Sequence, residues 1–143
     1  MTRTHATFHA VFPQDSLWNE NEELVRPGGC AIATAIHDLL TDRSIRCTGV
    51  TQRDYYGWEF SFCVDEQPFR CVIQEYEGGQ WLLICESSVP FWRHALKRNT
   101  RKCETTGPAT VHARIVRDSR FSQIRWFRRD QFEKGDREGD PNP

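Results

Sequence analysis

The chain has 143 residues, of which 38% are apolar, 27% charged and 12% aromatic. This length suits one folded domain with its own core, and the aromatic content excludes a disordered chain. No apolar run approaches the roughly 20 residues of a membrane span, and no apolar segment follows the first residues as in a secretory signal. We therefore expect a cytoplasmic protein that does not enter membranes.

The net charge of −1 excludes a nucleic-acid binder or a polyanion mimic that acts by bulk charge. The charge is unevenly distributed, however. Residues 1–90 carry a net charge of −7, and residues 91–143 carry +6. These two parts either attract each other within one domain or present faces of opposite sign, and solvated faces are the simpler interpretation.

The first third of the chain contains the clearest periodic signal. A β-prone stretch at 7–12 is followed by a polar, acidic segment, 14–26, that we expect to form a loop or a single helical turn. After a Pro-Gly-Gly break, apolar residues recur at i, i+3, i+4, i+7 and i+8, starting from Ile32. This spacing predicts an amphipathic helix over 30–42.

The middle of the chain is typical of a β-meander, with strands expected at 45–52, 57–64, 69–76 and 80–86. Two-residue loops at Glu66-Gln67 and Gly78-Gly79 would fix the register of the last three strands. One sheet face would then carry Trp58, Phe60, Phe62, Val64, Phe69, Cys71, Ile73, Leu82 and Ile84. We expect the 30–42 helix on this bulky face, although a slip of one residue would exchange the faces.

The last third is expected to be helical first and then extended. Apolar spacing predicts a helix around 92–96, and the cap-forming residues 105–108 predict a second helix that continues to about Arg117. A last strand is expected at 122–127. The charged, Gly/Pro-rich segment 133–143 is predicted to be a disordered tail.

Together these elements predict a single α+β domain over residues 1–132. Its antiparallel meander of four to six strands would pack against a main helix, with one or two further helices in the C-terminal third.

The residues offer little to an enzymatic interpretation. The six cysteines contain no Cys-x-x-Cys pair, so a zinc site is not expected, and phosphate-binding glycine loops and nucleophile elbows are absent from the sequence. One thiol option remains, in which Cys30 at a helix N-terminus is activated by His94 or His112. A core cysteine is the commoner case, so we predict no catalytic residue, no cofactor and no metal.

The basic residues of the last third allow a nucleic-acid hypothesis. Arginines and lysines in 93–102 and 114–129 alternate with Trp92, Phe121, Trp126 and Phe127, and this composition suits single-stranded nucleic acid. The same composition also suits a protein interface, because arginine and tryptophan are frequent hot-spot residues.

Three local patterns resemble small bacterial α+β proteins of the immunity type. They are Gly57-Trp58-Glu59-Phe60, Gly79-Gln80-Trp81-Leu82-Leu83 and the segment 118–126, and the resemblance spans roughly residues 28–127. It implies a cytosolic inhibitor that neutralises a cognate protein toxin by occluding its active site. No binding residue follows from the resemblance itself.

The candidate partner-binding residues come instead from charge and side-chain type. An acidic set would meet the basic groove of a nuclease toxin, and an arginine set would meet an acidic toxin. Two aromatic residues on the second sheet face complete the prediction. The candidates are Asp15, Glu20, Glu22, Glu23, Tyr76, Trp81, Arg93, Arg98, Arg125 and Arg128.

Overall fold

The computed structural model describes residues 2–42, 44–88 and 100–143, with side chains in the last range described from residue 105 onward. It confirms a mixed α+β fold with an antiparallel sheet. In the described residues this sheet has seven strands, one more than the upper limit predicted. The strands are β1 (Arg3–Ala10), β4 (Arg46–Cys47), β5 (Thr51–Arg53), β6 (Gly57–Val64), β7 (Gln67–Glu75), β8 (Trp81–Ser87) and β9 (Phe121–Arg128).

The sheet is a meander that is completed by the first strand of the chain. Its order is β4-β6-β7-β8-β1-β9, with β5 also paired to β6. Three helices accompany it in the described residues: α1 (Cys30–Leu40), α2 (Thr100–Ile115) and the short α3 (Arg129–Glu133). The strand β1 therefore joins the meander to the C-terminal strand β9.

Helix α1 forms where the apolar spacing predicts it and packs on the bulky sheet face. Its buried residues include Ile32, Ile36 and Leu40, and the ring of His37 meets Phe60 edge-on at 5.5 Å. The residue before the helix, Gly29, has φ +102, and a β-carbon there would lie 2.7 Å from the Trp81 ring. Only glycine allows both this backbone conformation and this close approach.

The β6–β7 turn differs from the prediction without changing the sheet faces. The loop is Asp65-Glu66, both with positive φ, so that Phe60 pairs with Cys71 and Phe62 with Phe69. The register is two residues away from the one expected. Because side chains alternate with period two, the predicted face of β6 and β7 is retained.

The β7–β8 register is wrong by one residue, and the predicted faces of β8 are therefore exchanged. The loop has three residues, 77–79, and Ile73 pairs with Leu83 rather than with Ile84. Leu83 and Cys85 consequently lie in the core cluster, while Ile84 lines a cavity outside it. The Gly-Gly pair predicts a turn correctly but not its length, because both glycines adopt positive φ in the longer loop as well.

The helix boundary predicted at 105–108 is also wrong. Helix α2 runs through Gly107 and Pro108, both buried, and a β-carbon on Gly107 would lie 2.3 Å from the Phe69 ring. Tertiary packing therefore overrides the local breaking signal, because the helix backbone rests directly on this ring. The helix predicted at 92–96 lies outside the described residues.

Two other segments differ from the sequence expectations. The segment 14–26 contains a small hairpin of two strands, β2 (Leu17–Trp18) and β3 (Leu24–Arg26), rather than a helical turn. The strand expected at 45–52 is split into β4 and β5. Short edge strands such as these carry too few alternating residues for a periodicity signal.

The C-terminal segment, expected to be a disordered tail, lies partly against the sheet. The backbone N–H and C=O of Trp126 both bond to Asp140, at 2.7 and 2.8 Å, and the Asp140 carboxylate contacts Arg3 at 3.0 Å. Gly139 packs closely on the Phe127 ring. These contacts place part of the segment on the sheet, although its charged, Gly/Pro-rich composition is typical of disorder.

Candidate functional site

Two surface features emerge from this fold, and the first is the β2–β3 hairpin with its neighbour Tyr55. Leu17, Trp18, Val25 and Tyr55 are each more than half exposed. Three exposed carboxylates accompany them in the hairpin loop: Glu20, Glu22 and Glu23. We call these seven residues the hairpin surface. It combines apolar side chains with negative charge.

Local hydrogen bonds fix the shape of the hairpin loop. The Asn19 side-chain oxygen accepts the backbone N–H groups of Asn21 and Glu23, each at 2.9 Å, and the Asn19 amide donates to the Glu23 carboxylate at 2.8 Å. Glu22 adopts the left-handed conformation, with φ 60. This Asx turn fixes the loop backbone that carries the acidic side chains before any partner binds.

Asp15, the fourth predicted acidic residue, has a different role in the structure. Its two carboxylate oxygens accept the N–H groups of Gly29 and Ala31, at 2.7 and 2.8 Å. These donors belong to the N-terminus of α1, which also favours negative charge. Asp15 therefore caps the main helix from a distant loop and anchors the segment that leads into the hairpin.

The second feature is a cavity on the sheet face opposite to α1 and α2, which we call the sheet cavity. It has a volume of about 480 Å³. Val72 and Ile84 contribute apolar floor residues, and the β5–β6 turn and α3 form two of its walls. Charged and polar groups complete the lining: His5, Arg53, Asp54, Tyr56, Arg70, Gln74, Glu86, Arg129 and Glu133.

His5 is the most buried polar side chain of this cavity. The Thr4 hydroxyl lies 2.9 Å from its Nδ1, and its ring packs against Phe132 with centroids 5.2 Å apart. Burial lowers the pKa of His5 below its usual value, and this effect outweighs the nearby Glu86 carboxylate. The imidazole is therefore neutral at pH 7, so it contributes hydrogen bonds to the cavity rather than charge.

The charged side chains of the cavity differ in whether they are paired. Arg129 contacts Glu133 at 2.9 Å, and Arg53 contacts Glu59 at 3.4 Å. Arg70 and Glu86 are direct cross-strand neighbours on β7 and β8. Among the residues that the structure describes, neither of these two forms an ion pair.

The predicted aromatic residues Tyr76 and Trp81 do not share one surface. Tyr76 packs against Phe132, with centroids 5.3 Å apart, and lies under the Arg137 guanidinium. Trp81 belongs to the core face, where its ring touches Gly29. Both side chains are half-buried, so each contributes to the packing of its own sheet face.

The two predicted arginines in the described residues have different surroundings. Arg125 is exposed beside Arg137 and Glu138, and Arg128 lies 3.5 Å from the Asp130 carboxylate. Arg93 and Arg98 lie outside the described residues. The structure therefore brings together Glu20, Glu22 and Glu23, and it gives the two predicted arginines that it describes different neighbours.

The thiol option finds no partner in the described part of the chain. Cys30 is half-buried and has no hydrogen bond to a described histidine. His112 instead accepts the indole N–H of Trp126 at 3.1 Å, and His94 lies outside the described residues. In the same ranges, no group of three or more His, Cys, Asp or Glu side chains could hold a metal ion.

Comparisons of the chain with protein-family models, curated proteins and solved structures found no match. None of the helices in the described ranges is long and apolar enough to cross a membrane.

Sequence reasoning missed the apolar part of the hairpin surface and the sheet cavity. A signal for the first was available, because Leu17, Trp18 and Val25 flank the acidic loop in the sequence. The second requires the pairing of β1 with β8, which brings His5 opposite Ile84 across a separation of nearly eighty residues. No local pattern encodes such a pairing.

Proposed function

We propose that the protein is a non-enzymatic inhibitory binding protein of the immunity type, which occludes the active site of a basic protein toxin with its hairpin surface. The observation that carries this proposal is the combination of three exposed apolar side chains on the β2–β3 hairpin, the neighbouring exposed Tyr55, and three carboxylates in the pre-shaped hairpin loop.

The apolar residues supply the binding free energy in this proposal. Trp18 and Tyr55 are of the types that dominate protein interfaces, because a large rigid ring buries much apolar area at a small entropic cost. Contiguous exposed apolar groups on a folded protein often mark an interaction surface. A partner that covers this surface would remove Leu17, Trp18 and Val25 from water together.

The carboxylates define the chemistry of the partner. In the described part of the chain, Glu20, Glu22 and Glu23 form no ion pair, so their charge is available to another molecule. A nuclease active site presents lysine and arginine for the phosphate backbone, and acidic side chains can occupy the same positions. Complementary charge would also accelerate association at low ionic strength.

The nucleic-acid alternative has less support from the structure. Four arginines of the segment 114–129 already lie beside carboxylates of the same chain, which reduces the positive charge that they present to phosphate. These pairs are Arg114–Asp42, Arg120–Asp118, Arg128–Asp130 and Arg129–Glu133. Salt-dependent binding of the purified protein to oligonucleotides would favour this alternative.

The proposal is tested by capture of the partner and a toxicity assay. Tagged wild-type protein should capture one stoichiometric protein that is toxic when expressed alone, and co-expression of the wild type should restore growth. Trp18→Ala should weaken capture at least about tenfold. Val116→Ala, at another exposed apolar residue, is the matched control and should leave capture unchanged.

The charge component needs a separate variant. Glu20→Gln, Glu22→Gln and Glu23→Gln combined should slow association and remove most of its salt dependence. A captured protein that is harmless alone, or capture that is equal for wild type and Trp18→Ala, would contradict the proposal.

A further inference from the structure

The sheet cavity has the size and lining of a small-ligand site. It shares no lining residue with the hairpin surface, although Tyr55 of that surface lies between the lining residues Asp54 and Tyr56 in the sequence. Its volume of about 480 Å³ lies within the usual range for ligand pockets. The floor contains Val72 and Ile84, and polar groups surround it. An apolar floor with a few directed polar groups suits a small molecule that has both an apolar part and a charged part.

The free charges of the cavity restrict what that molecule can be. Arg53 and Arg129 are each paired with a carboxylate of the same chain, at 3.4 and 2.9 Å. Three charged groups of the lining then form no ion pair in the described residues. Asp54 is exposed in the β5–β6 turn, whereas Arg70 and Glu86 occupy directly opposite positions of β7 and β8. A ligand that satisfies both must carry a negative and a positive group close together.

The spacing narrows the ligand class further. Side chains at directly opposite positions of an antiparallel pair start about 5 Å apart and project to the same face. The carboxylate and ammonium groups of an α-amino acid are attached to the same carbon atom, so they can contact two such neighbours at once. A free anion such as inorganic phosphate would satisfy Arg70 but would be repelled by Glu86.

We propose that the sheet cavity binds a free α-amino acid as a zwitterion, with Arg70 receiving its carboxylate, Glu86 receiving its ammonium group and Val72 and Ile84 contacting its side chain. An arginine can hold a carboxylate with two parallel N–H bonds, and the Glu86 carboxylate accepts N–H donors from the ammonium group. Gln74 and the His5 imidazole line the same space and offer further hydrogen bonds.

Titration calorimetry of the full chain with each natural amino acid tests this assignment. At least one amino acid should bind saturably below about 10 mM, and one with an apolar side chain should bind best. Arg70→Gln and Glu86→Gln should each weaken that binding about tenfold or more, because each removes one charge-assisted hydrogen-bond partner. Arg117→Gln, at an exposed arginine outside the cavity lining, should have no effect.

Modified ligands identify which residue holds which group. The N-acetyl derivative lacks the ammonium group, so it should bind weakly, and Glu86→Gln should not weaken it further. The amide derivative lacks the carboxylate and should be insensitive to Arg70→Gln in the same way. The absence of binding for all amino acids, or equal binding by the wild type and both variants, would overturn the proposal. Inorganic phosphate is the comparison probe, and binding that it matches would also overturn the zwitterion assignment.

Discussion

The two faces of the central sheet are built from the same strands but have opposite chemistry. The face under α1 and α2 carries Phe60, Phe62 and Phe69, all buried. The other face carries Arg70 and Glu86, which alternate along β7 and β8 with the residues of the core face. Both line the sheet cavity. Because side chains alternate along a strand, one face can supply stability while the other remains free to change its chemistry. Substitutions on the two faces should therefore differ strongly in their effect on stability.

Removal of a core-face ring should cost the most stability. Phe62→Ala should lower the free energy of unfolding by about 3–5 kcal/mol, because it removes a buried ring stacked on Phe69 at 5.5 Å. Arg70→Gln, on the opposite face, should change it by less than about 0.5 kcal/mol. Urea denaturation followed by tryptophan fluorescence measures both. Similar losses for the two variants would contradict the division between the faces.

The close contact between α2 and the sheet gives the second prediction. Gly107→Ala should lower stability by about 1–3 kcal/mol, although alanine is the better helix former, because the new β-carbon would meet the Phe69 ring. Gly49→Ala is the control, since a β-carbon there has no neighbour within 4 Å. The thermal unfolding midpoints of both variants test this prediction. A higher midpoint for Gly107→Ala than for the wild type would contradict this packing.

The carboxylates of the N-terminal part should separate into structural and functional groups. Asp15→Ala should lower stability by about 1 kcal/mol through loss of the α1 cap. Glu20→Gln, in the hairpin loop, should leave the urea midpoint unchanged and affect only partner binding. A larger loss of stability for Glu20→Gln than for Asp15→Ala would contradict the role of Asp15 as the cap of α1.

Stability should also depend weakly on pH through two histidines. The pKa of His5 is lowered mainly by burial, and the pKa of His112 is lowered for the same reason. These histidines therefore bind protons more readily in the unfolded chain than in the folded protein. The free energy of unfolding should consequently fall as the pH decreases below about 6.5. His5→Gln should make this dependence shallower without removing it, because His112 remains. Urea midpoints between pH 7.5 and pH 5 measure the slope, and an unchanged slope in His5→Gln would contradict the role of His5.

The sequence predicts the elements whose periodicity is long enough to detect. Helix α1 and strand β6 have the positions expected from their apolar spacing, and the helix covers the face expected. The predicted register of β8 is wrong because it depends on the length of one loop. A Gly-Gly pair fits loops of two or three residues equally well. The continuity of α2 could not be predicted, because the Phe69 ring that requires glycine at position 107 is distant in sequence.

The candidate site follows the same pattern. The acidic loop at 20–23 is visible in the sequence as a run of charge. The role of Asp15 is not, because its two backbone partners lie 14 and 16 residues away. The sheet cavity requires long-range strand pairing and the placement of α3, which neither composition nor spacing can supply.

The bridge between Asp140 and Trp126 has a consequence for self-association. Strand β9 lies at one end of the sheet, where unpaired backbone groups form a template for the strand of another chain. Asp140 occupies both hydrogen-bonding groups of Trp126 on that free edge, and the loop that carries it lies beside the strand. The C-terminal segment thus covers part of the β9 edge, so fewer backbone groups of that strand are available for pairing with a strand of another copy.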